Sequence, residues 1–279
     1  MIGTVCYIDL LGFSFLTANP DKGKYQKIIY RYIKNLHKYI SQAIEKTNIR
    51  YCILSDSVFL YVEKDVDILL YALTRIFRNC ISSGVLLRAG LAYGEYNFIE
   101  TKIDSNNIFG VAVTKAVSLE KKGKGCRIFI DADLPSKSAL INLDPKIFIP
   151  YINHVDYSAI DIFEWPLFYK DYCFRSNDIV SKHNIRKEIR ELLYNNSRII
   201  ACLKYSPLFD WNAKSTDGKV QLKATIEYIT KITNDTIQKT NQFELLPTEY
   251  TFDIIRREAT VKNLQGTYKG IYNIEETIV

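Results

Sequence analysis

Two aspartates stand where a chain can put carboxylates to chemical use. Asp9 ends the apolar run Thr4-Val5-Cys6-Tyr7-Ile8, and Asp56 lies within Ser55-Asp56-Ser57, between the β-rich runs Tyr51-Cys52-Ile53-Leu54 and Val58-Phe59-Leu60-Tyr61-Val62. Taken singly, an Asp at a strand end or turn commonly caps a backbone group or meets water. Taken together, each follows an apolar strand beside Gly or Ser residues that let a phosphate approach. Two such carboxylates can hold two divalent cations between them, Mg²⁺ or Mn²⁺. That suits phosphoryl transfer: one cation lowers the pKa of an attacking hydroxyl, and the other neutralises charge on departing pyrophosphate. The main-chain N–H groups of Leu11, Gly12, Phe13 and Ser14, at a helix start, can cradle the phosphates.

Other chemistries find no support. His37, His154 and His183 are far apart and form no ligand-spaced cluster, and no G-x-S-x-G marks a serine nucleophile. The six cysteines (Cys6, Cys52, Cys80, Cys126, Cys173, Cys202) are scattered singly with no CxxC pair, as buried reduced thiols are, which argues against structural zinc. With 47% hydrophobic and 24% charged residues the chain has a globular composition. Its net charge of +6 is spread along the sequence, so it adds only a lean toward phosphate ligands. No apolar run approaches the roughly 18 residues of a membrane span. The N-terminus lacks the pattern of a signal peptide. The expectation is a cytoplasmic protein with no membrane partner.

The elements that must position the two aspartates follow from periodicity. Residues 2–9 read as a buried strand. Apolar residues from Tyr25 to Ile44 recur at three and four residue steps and predict a long helix. The two β-rich runs predict a tight hairpin with Asp56 at its tip. Ile68 to Ile81 predict a second helix ending near Gly84. Leu86–Ala92 is a third β-rich run, followed by a polar loop from Glu95 to Asn107, a helix from about Val111 to Glu120, and a strand over Arg127–Asp131. The order β-α-β-β-α-β is that of an α+β ferredoxin-like core, in which the first strand lies beside the hairpin and Asp9 and Asp56 converge at one edge. Residues 1–170 are assigned to this catalytic domain. Residues 171–279 are assigned to a helical C-terminal extension, from the spacing of Ile185, Ile189, Leu192, Leu193 and Ile200 and then of Leu222, Ile226, Ile229, Thr233 and Ile237.

Read as motifs, these segments resemble a family. Tyr7-Ile8-Asp9-Leu10-Leu11-Gly12-Phe13-Ser14 resembles the first metal motif of class III nucleotidyl cyclases, and Ser55-Asp56-Ser57 resembles the second. Arg88-Ala89-Gly90-Leu91-Ala92-Tyr93-Gly94-Glu95 looks like their RxG strand, and Gly110 to Glu120 like the helix that follows. The motifs occur in family order over roughly residues 1–130. The resemblance implies Asp9 and Asp56 as catalytic metal carboxylates with Leu10 as a further ligand, two divalent cations, and a nucleoside triphosphate as substrate. It also implies a homodimer with composite sites. Thr114 and Ser118 occupy the positions of the Asn and Arg of adenylate and guanylate cyclases. Cys52 and Asn107 align with the positions that read the base.

Those departures are similar to the bacterial pyrimidine cyclases of Pycsar antiphage systems, although Val117 stands where that branch has an aromatic residue. That likeness implies conversion of UTP to cyclic UMP, or alternatively CTP to cyclic CMP, as a messenger for a separate cyclic-nucleotide-responsive effector. Tyr51, Cys52, Asn107, Thr114 and Lys115 then join Leu11, Gly12, Phe13 and Ser14 as substrate-binding candidates. Plainer readings stand beside these: Arg88 as an ion-pair partner, Lys115 as a solvated helix lysine, and Glu120 as a structural helix-end residue. Two other classes remain open, a nucleic-acid-binding sheet and an inactive cyclase-fold sensor. The first is disfavoured because no RNP-like aromatic pattern occurs, the second because both aspartates are present.

Overall fold

The computed structural model describes residues 1–18, 22–99, 107–139, 148–152, 159–163, 199–200, 203–204 and 215–242. The chain divides into two compact units, Met1–Pro166 and Leu167–Val279. In the first, the elements run β1 (Ile2–Leu10), α1 (Phe13–Ala18), α2 (Lys22–Ile44), β2 (Arg50–Leu54), β3 (Ser57–Val62), α3 (Val66–Ser82), β4 (Leu87–Glu95), β5 (Asn97–Ile99), β6 (Asn107–Phe109), α4 (Val111–Lys122), β7 (Ile128–Ile130), β8 (Phe148–Ile152) and β9 (Ala159–Phe163).

A seven-stranded sheet has the order β2-β3-β1-β4-β7-β9-β8. Its first four strands, β2-β3-β1-β4, pair antiparallel throughout. With α2 and α3 as the crossovers, this is the ferredoxin-like α+β core that the sequence predicts. β1 is central, and Val5, Cys6 and Ile8 are wholly buried, which is why its sequence is apolar on both faces instead of alternating. On α2 the residues Tyr25, Ile28, Tyr32, Leu36, Ile40 and Ala43 are buried at the predicted helical spacing.

Cross-strand partners share a sheet face. Tyr7, Gly90 and Phe59 are in register, and so are Asp9, Arg88 and Ser57, so all six lie on one face. α4 lies on that face. A Cβ on Gly90 would sit 2.7 Å from the amide nitrogen of Glu120 and collide with the carbonyl of Ala116, so helix and strand touch backbone to backbone. Cys6, Ile8 and Leu10 on the opposite face are also buried, on the side where α3 packs on β3 and β4 and α2 packs on α3.

Beyond the added strands β8 and β9, three refinements separate the structure from the sequence reading. The segment after Asp9 forms its own short helix, α1, before α2. The polar loop expected from Glu95 to Asn107 carries a two-stranded ribbon, β5 with β6. β7 pairs parallel to β4 and so extends an otherwise antiparallel sheet, with α4 as the crossover.

In the second unit the helix α5 (Thr216–Gln242) contains the predicted run from Leu222 to Ile237, and its Ala224, Tyr228 and Ile229 are buried. The helix predicted from Ile185 lies outside the described residues except at its end, where Ile199 and Ile200 are helical. Cys6, Cys52, Cys80 and Cys126 are free and buried, as expected for reduced thiols, whereas Cys173 and Cys202 lie outside the described residues. No helix of the described residues is long and apolar enough to cross a membrane.

Because the Ala116 carbonyl and Glu120 amide are fixed by helical hydrogen bonding, neither can yield to a side chain at position 90. Gly90→Val is therefore expected to cost about 3 kcal/mol or more of stability. Urea denaturation followed by circular dichroism checks this. A variant within about 0.5 kcal/mol of wild type would contradict the backbone contact.

Candidate functional site

Asp9 and Asp56 meet at one end of the sheet. Asp9 is the ninth residue of the chain and the last but one of β1, where it pairs with Ser57 of β3 and Arg88 of β4. Asp56 precedes Ser57 in the two-residue turn between β2 and β3, where Ser55 adopts the left-handed φ of 56°. The tightness of that turn places Asp56 beside Asp9, as the hairpin reading predicts.

The electrostatics of this corner are set by a third acid. Glu120, 2% exposed near the end of α4, forms an ion pair with Arg88, whose guanidinium also donates to the carbonyl of Gly123 at 3.2 Å. Arg88 is thus committed to the helix, and the ion-pair reading of it holds, as does the structural reading of Glu120. Burial, followed by the charges of Glu120 and Asp56, pushes the Asp9 carboxyl up from 3.8 to about 7. Arg88 and the amide of Leu10, which donates to the Asp9 carboxylate, pull the other way without cancelling the rise. The corner carries more negative charge than its own cation neutralises.

Such a corner fits a divalent cation. Among the described residues no group of three or more His, Cys, Asp or Glu is disposed to hold an ion. A carboxylate pair is nevertheless the donor set that Mg²⁺ takes when phosphate oxygens and water complete its octahedron, and Mn²⁺ accepts the same hard oxygens. Leu10, 2% exposed, can contribute only a main-chain carbonyl.

The predicted phosphate cradle is narrower than the sequence suggests. The Leu11 amide is not available, because it donates to the carbonyl of Leu86 at 3.0 Å and ties the exit of β1 to the entry of β4. Gly12, Phe13 and Ser14 remain at the first turn of α1, where amides lack partners within the helix. Gly12 takes a φ of 86°, which a glycine adopts without strain, and its carbonyl accepts from the Leu16 amide.

Cys52 and Tyr51 part company. Cys52 pairs with Phe59 and shares the face of Tyr7 and Asp9, with its thiol pushed up by burial and so neutral at physiological pH. Tyr51 pairs with Leu60 and by strand alternation lies on the opposite face, away from Asp9. Its assignment to the site with Cys52 is thereby corrected: neighbours in a strand cannot line one face.

Asn107 is not near the aspartates of its own chain. Asp9 is level with Arg88, whereas Gly110, just before α4, abuts Glu95 and Tyr96 at the other end of β4. Seven residues of extended strand separate those levels, about 20 Å. Asn107 is exposed on β6, and Thr114 is exposed on α4 with its hydroxyl bonded to the Gly110 carbonyl. Lys115 is no freely solvated lysine, since its ammonium bonds Asp131 at 3.0 Å and lies 3.6 Å from Asp133.

Two features escaped the sequence reading. The charge of Glu120 on Asp9 arises from a helix packed by tertiary contact, and nothing local announces it. Tyr7, two residues before Asp9 and so on its face, was legible from strand alternation. Its ring tilts against Phe59 with centroids 5.0 Å apart.

No protein-family model matches the chain, and no curated protein matches it. Solved structures do. The dimeric guanylyl cyclase domain of the RhoGC fusion protein from the aquatic fungus Blastocladiella emersonii is 14% identical, with a TM-score of 0.44 over 58% of this chain and 94% of that one. A bacterial light-regulated adenylyl cyclase is 17% identical, with a TM-score of 0.41 over 58% and 88%. The monomeric adenylate cyclases from Trypanosoma brucei are 12% identical, with a TM-score of 0.42 over 58% and 86%.

The raised Asp9 pKa has a definite sign in stability. The native state holds this proton more tightly than the unfolded chain, so the contribution is full below about pH 4 and is lost as pH rises toward 7. The loss is on the order of 4 kcal/mol at full ionisation. In buffer containing a chelator, Asp9→Asn is expected to gain stability over wild type progressively from pH 4 to pH 8. Denaturation at a series of pH values measures the difference, and a flat difference would contradict the assignment.

Proposed function

We propose that the protein is a nucleotide cyclase that closes a pyrimidine nucleoside triphosphate, UTP ahead of CTP, into its 3′,5′-cyclic monophosphate. The observation that carries this reading is the convergence of Asp9 and Asp56 on one sheet corner, where burial and then the charges of Glu120 and Asp56 raise Asp9 to about 7. The motif resemblance and the cation-compatible donor set support it. In the reaction the ribose 3′-oxygen bonds the α-phosphorus, the bond to the β-phosphate oxygen breaks, pyrophosphate leaves, and the 3′-hydroxyl proton passes to water. Two bound divalent cations, Mg²⁺ or Mn²⁺, supply acidification of that hydroxyl and neutralisation of the leaving group. Asp9 and Asp56 hold them, with the Leu10 carbonyl as a further oxygen. The amides of Gly12, Phe13 and Ser14 orient the triphosphate.

Base choice is read from Cys52 and Asn107. A buried neutral thiol is too weak and short a donor to replace the long polar side chain that purine recognition requires in the related cyclases. An Asn amide can donate to a uracil carbonyl and accept from its N3–H, and by flipping it can serve cytosine. The separation of Asn107 from Asp9 along β4 supports a homodimer in which one subunit supplies the carboxylates and its partner the base contacts. The cyclic nucleotide then acts as a messenger for a separate effector protein in antiphage defence, as the resemblance implies.

Asp9→Ala and Asp56→Ala are each expected to lower cyclisation a thousandfold or more while preserving the circular dichroism spectrum, by loss of charge stabilisation on the order of 4 kcal/mol. Either variant keeping above a tenth of wild-type activity would sink the two-cation reading. Mixing Asp56→Ala subunits with Asn107→Ala subunits is expected to restore part of the activity, and a monomer by sedimentation at full rate would contradict the composite site. With equimolar ATP, GTP, CTP and UTP and Mn²⁺, mass spectrometry is expected to find cyclic UMP. A cyclic purine as major product would overturn the pyrimidine reading, and cyclic CMP only the preference for UTP.

A further inference from the structure

The helix α2 stands apart from the rest of the first unit in its charge. Over its 23 residues it carries Lys22, Lys24, Lys27, Arg31, Lys34 and Lys38 and no Asp or Glu. α3, which packs on it, adds Arg75 and Arg78 against a single acid, Asp67. That acid is engaged, since its carboxylate accepts from the Ser138 hydroxyl and the Ala139 amide. Outside these two helices Met1–Pro166 holds more Asp and Glu than Lys and Arg. The positive charge that looks diffuse along the sequence is gathered into one region.

The helical period brings it to the surface. Tyr25, Ile28, Tyr32, Leu36 and Ile40 are buried, and Lys27, Lys34 and Lys38 stand opposite them, exposed, with half-buried Arg31 beside them. Positions 27, 31, 34 and 38 thus form one row that rises about 16 Å along the helix. Like charges three and four residues apart repel, and among the described residues no carboxylate pairs with any of the four. An anion from outside relieves that repulsion. Tyr30, 70% exposed, lies in the same face, and α3 leaves Tyr71, Arg75 and Arg78 exposed next to it.

We propose that the exposed face of α2 is a docking surface for a membrane rich in anionic phospholipid, onto which the protein adsorbs without inserting. The apolar face of the helix is spent on the core, so lysine charge and tyrosine are what it offers to headgroups. The expectation of no membrane partner rests on the lack of a spanning run, which adsorption does not require. A nucleic-acid strand fits this face less well. Three of the four cations in the row are lysines, whereas recognition of individual phosphates favours the bidentate fork of arginine. The rings on which bases would stack already carry an ammonium over one face, Lys34 over Tyr30 at 6.0 Å and Lys38 over Tyr39 at 5.7 Å. The inference does not depend on the cyclase reading.

The test is co-sedimentation of the full chain with vesicles of phosphatidylcholine alone and of phosphatidylcholine with phosphatidylserine at about one lipid in four, in low and in high salt. Wild type is expected to bind only the anionic vesicles and to be released by salt, which screens the attraction. A lysine close to such a surface is worth about fivefold in partition, so the triple variant Lys27→Gln, Lys34→Gln, Lys38→Gln is expected to bind on the order of a hundredfold more weakly. The same three positions changed to Arg keep their charge and are expected to bind as wild type does, which separates lost charge from a damaged helix. Lys64→Gln, Lys121→Gln, Lys122→Gln together remove equal charge from exposed positions elsewhere in the unit, and are expected to stay within about threefold of wild type. Equal losses in the two Gln triples would overturn the inference, because binding would then follow net charge alone. So would wild type that ignores anionic vesicles or binds neutral ones as well. Wild type that passes over vesicles but retards a DNA or RNA duplex, with the loss confined to the α2 triple, would give the face to nucleic acid instead.

Discussion

The close seat of α4 on β4 governs the rest of the first unit. A helix that meets a strand backbone to backbone at Gly90 cannot slide, and the contact sets the level at which Glu120 reaches Arg88. Because Arg88 is level with Asp9, the same contact decides which charges Asp9 feels. One guanidinium faces three carboxylates there, and its pairing with the more deeply buried of them leaves the other two for a partner from outside. The excess of negative charge at this corner is thus a by-product of helix packing as much as of the aspartates.

The opposite end of α4 follows from the same seat. With Ala116 against Gly90, the first turn falls against Gly94 and Glu95, and the ribbon of β5 and β6 is carried past the end of the main sheet. Lys115 then meets Asp131 beyond β7, which binds the crossover to the strand it delivers. The candidates for reading a base and the two aspartates lie at separate ends of one strand. That separation is what the proposed composite site of two subunits would bridge.

Much of this was legible in the sequence because it depends on local periodicity. The spacing from Tyr25 to Ile44 gave α2, the break at Ser55-Asp56 gave the hairpin, and the βαββαβ order then placed Asp9 and Asp56 together. What the sequence did not show depends on tertiary register. Arg88 and Glu120 are 32 residues apart and no pattern joins them. The Leu11 amide is spent on Leu86, a bond that exists only once β1 and β4 are paired. Tyr51 and Cys52 were read as one subsite, although alternation along β2 was sufficient to separate them. Gly90 was read as part of a motif, and its physical meaning, room for a helix backbone, emerged only with α4 in place.

The central position of β1 has a consequence for how the chain comes into being. β1 is made before its partners, yet it sits between β3 and β4, of which residues 57–62 follow only after the long helix α2, and residues 87–95 only after α3 as well. While the ribosome works through α2, an apolar nine-residue strand waits with both hydrogen-bonding edges open, and through α3 the edge that β4 will cover stays open still. Contacts of such wide sequence separation also form slowly. The nascent polypeptide is therefore most exposed to mispairing with other chains during the interval between completion of β1 and emergence of β4. Chaperone demand in the cell should concentrate in that window.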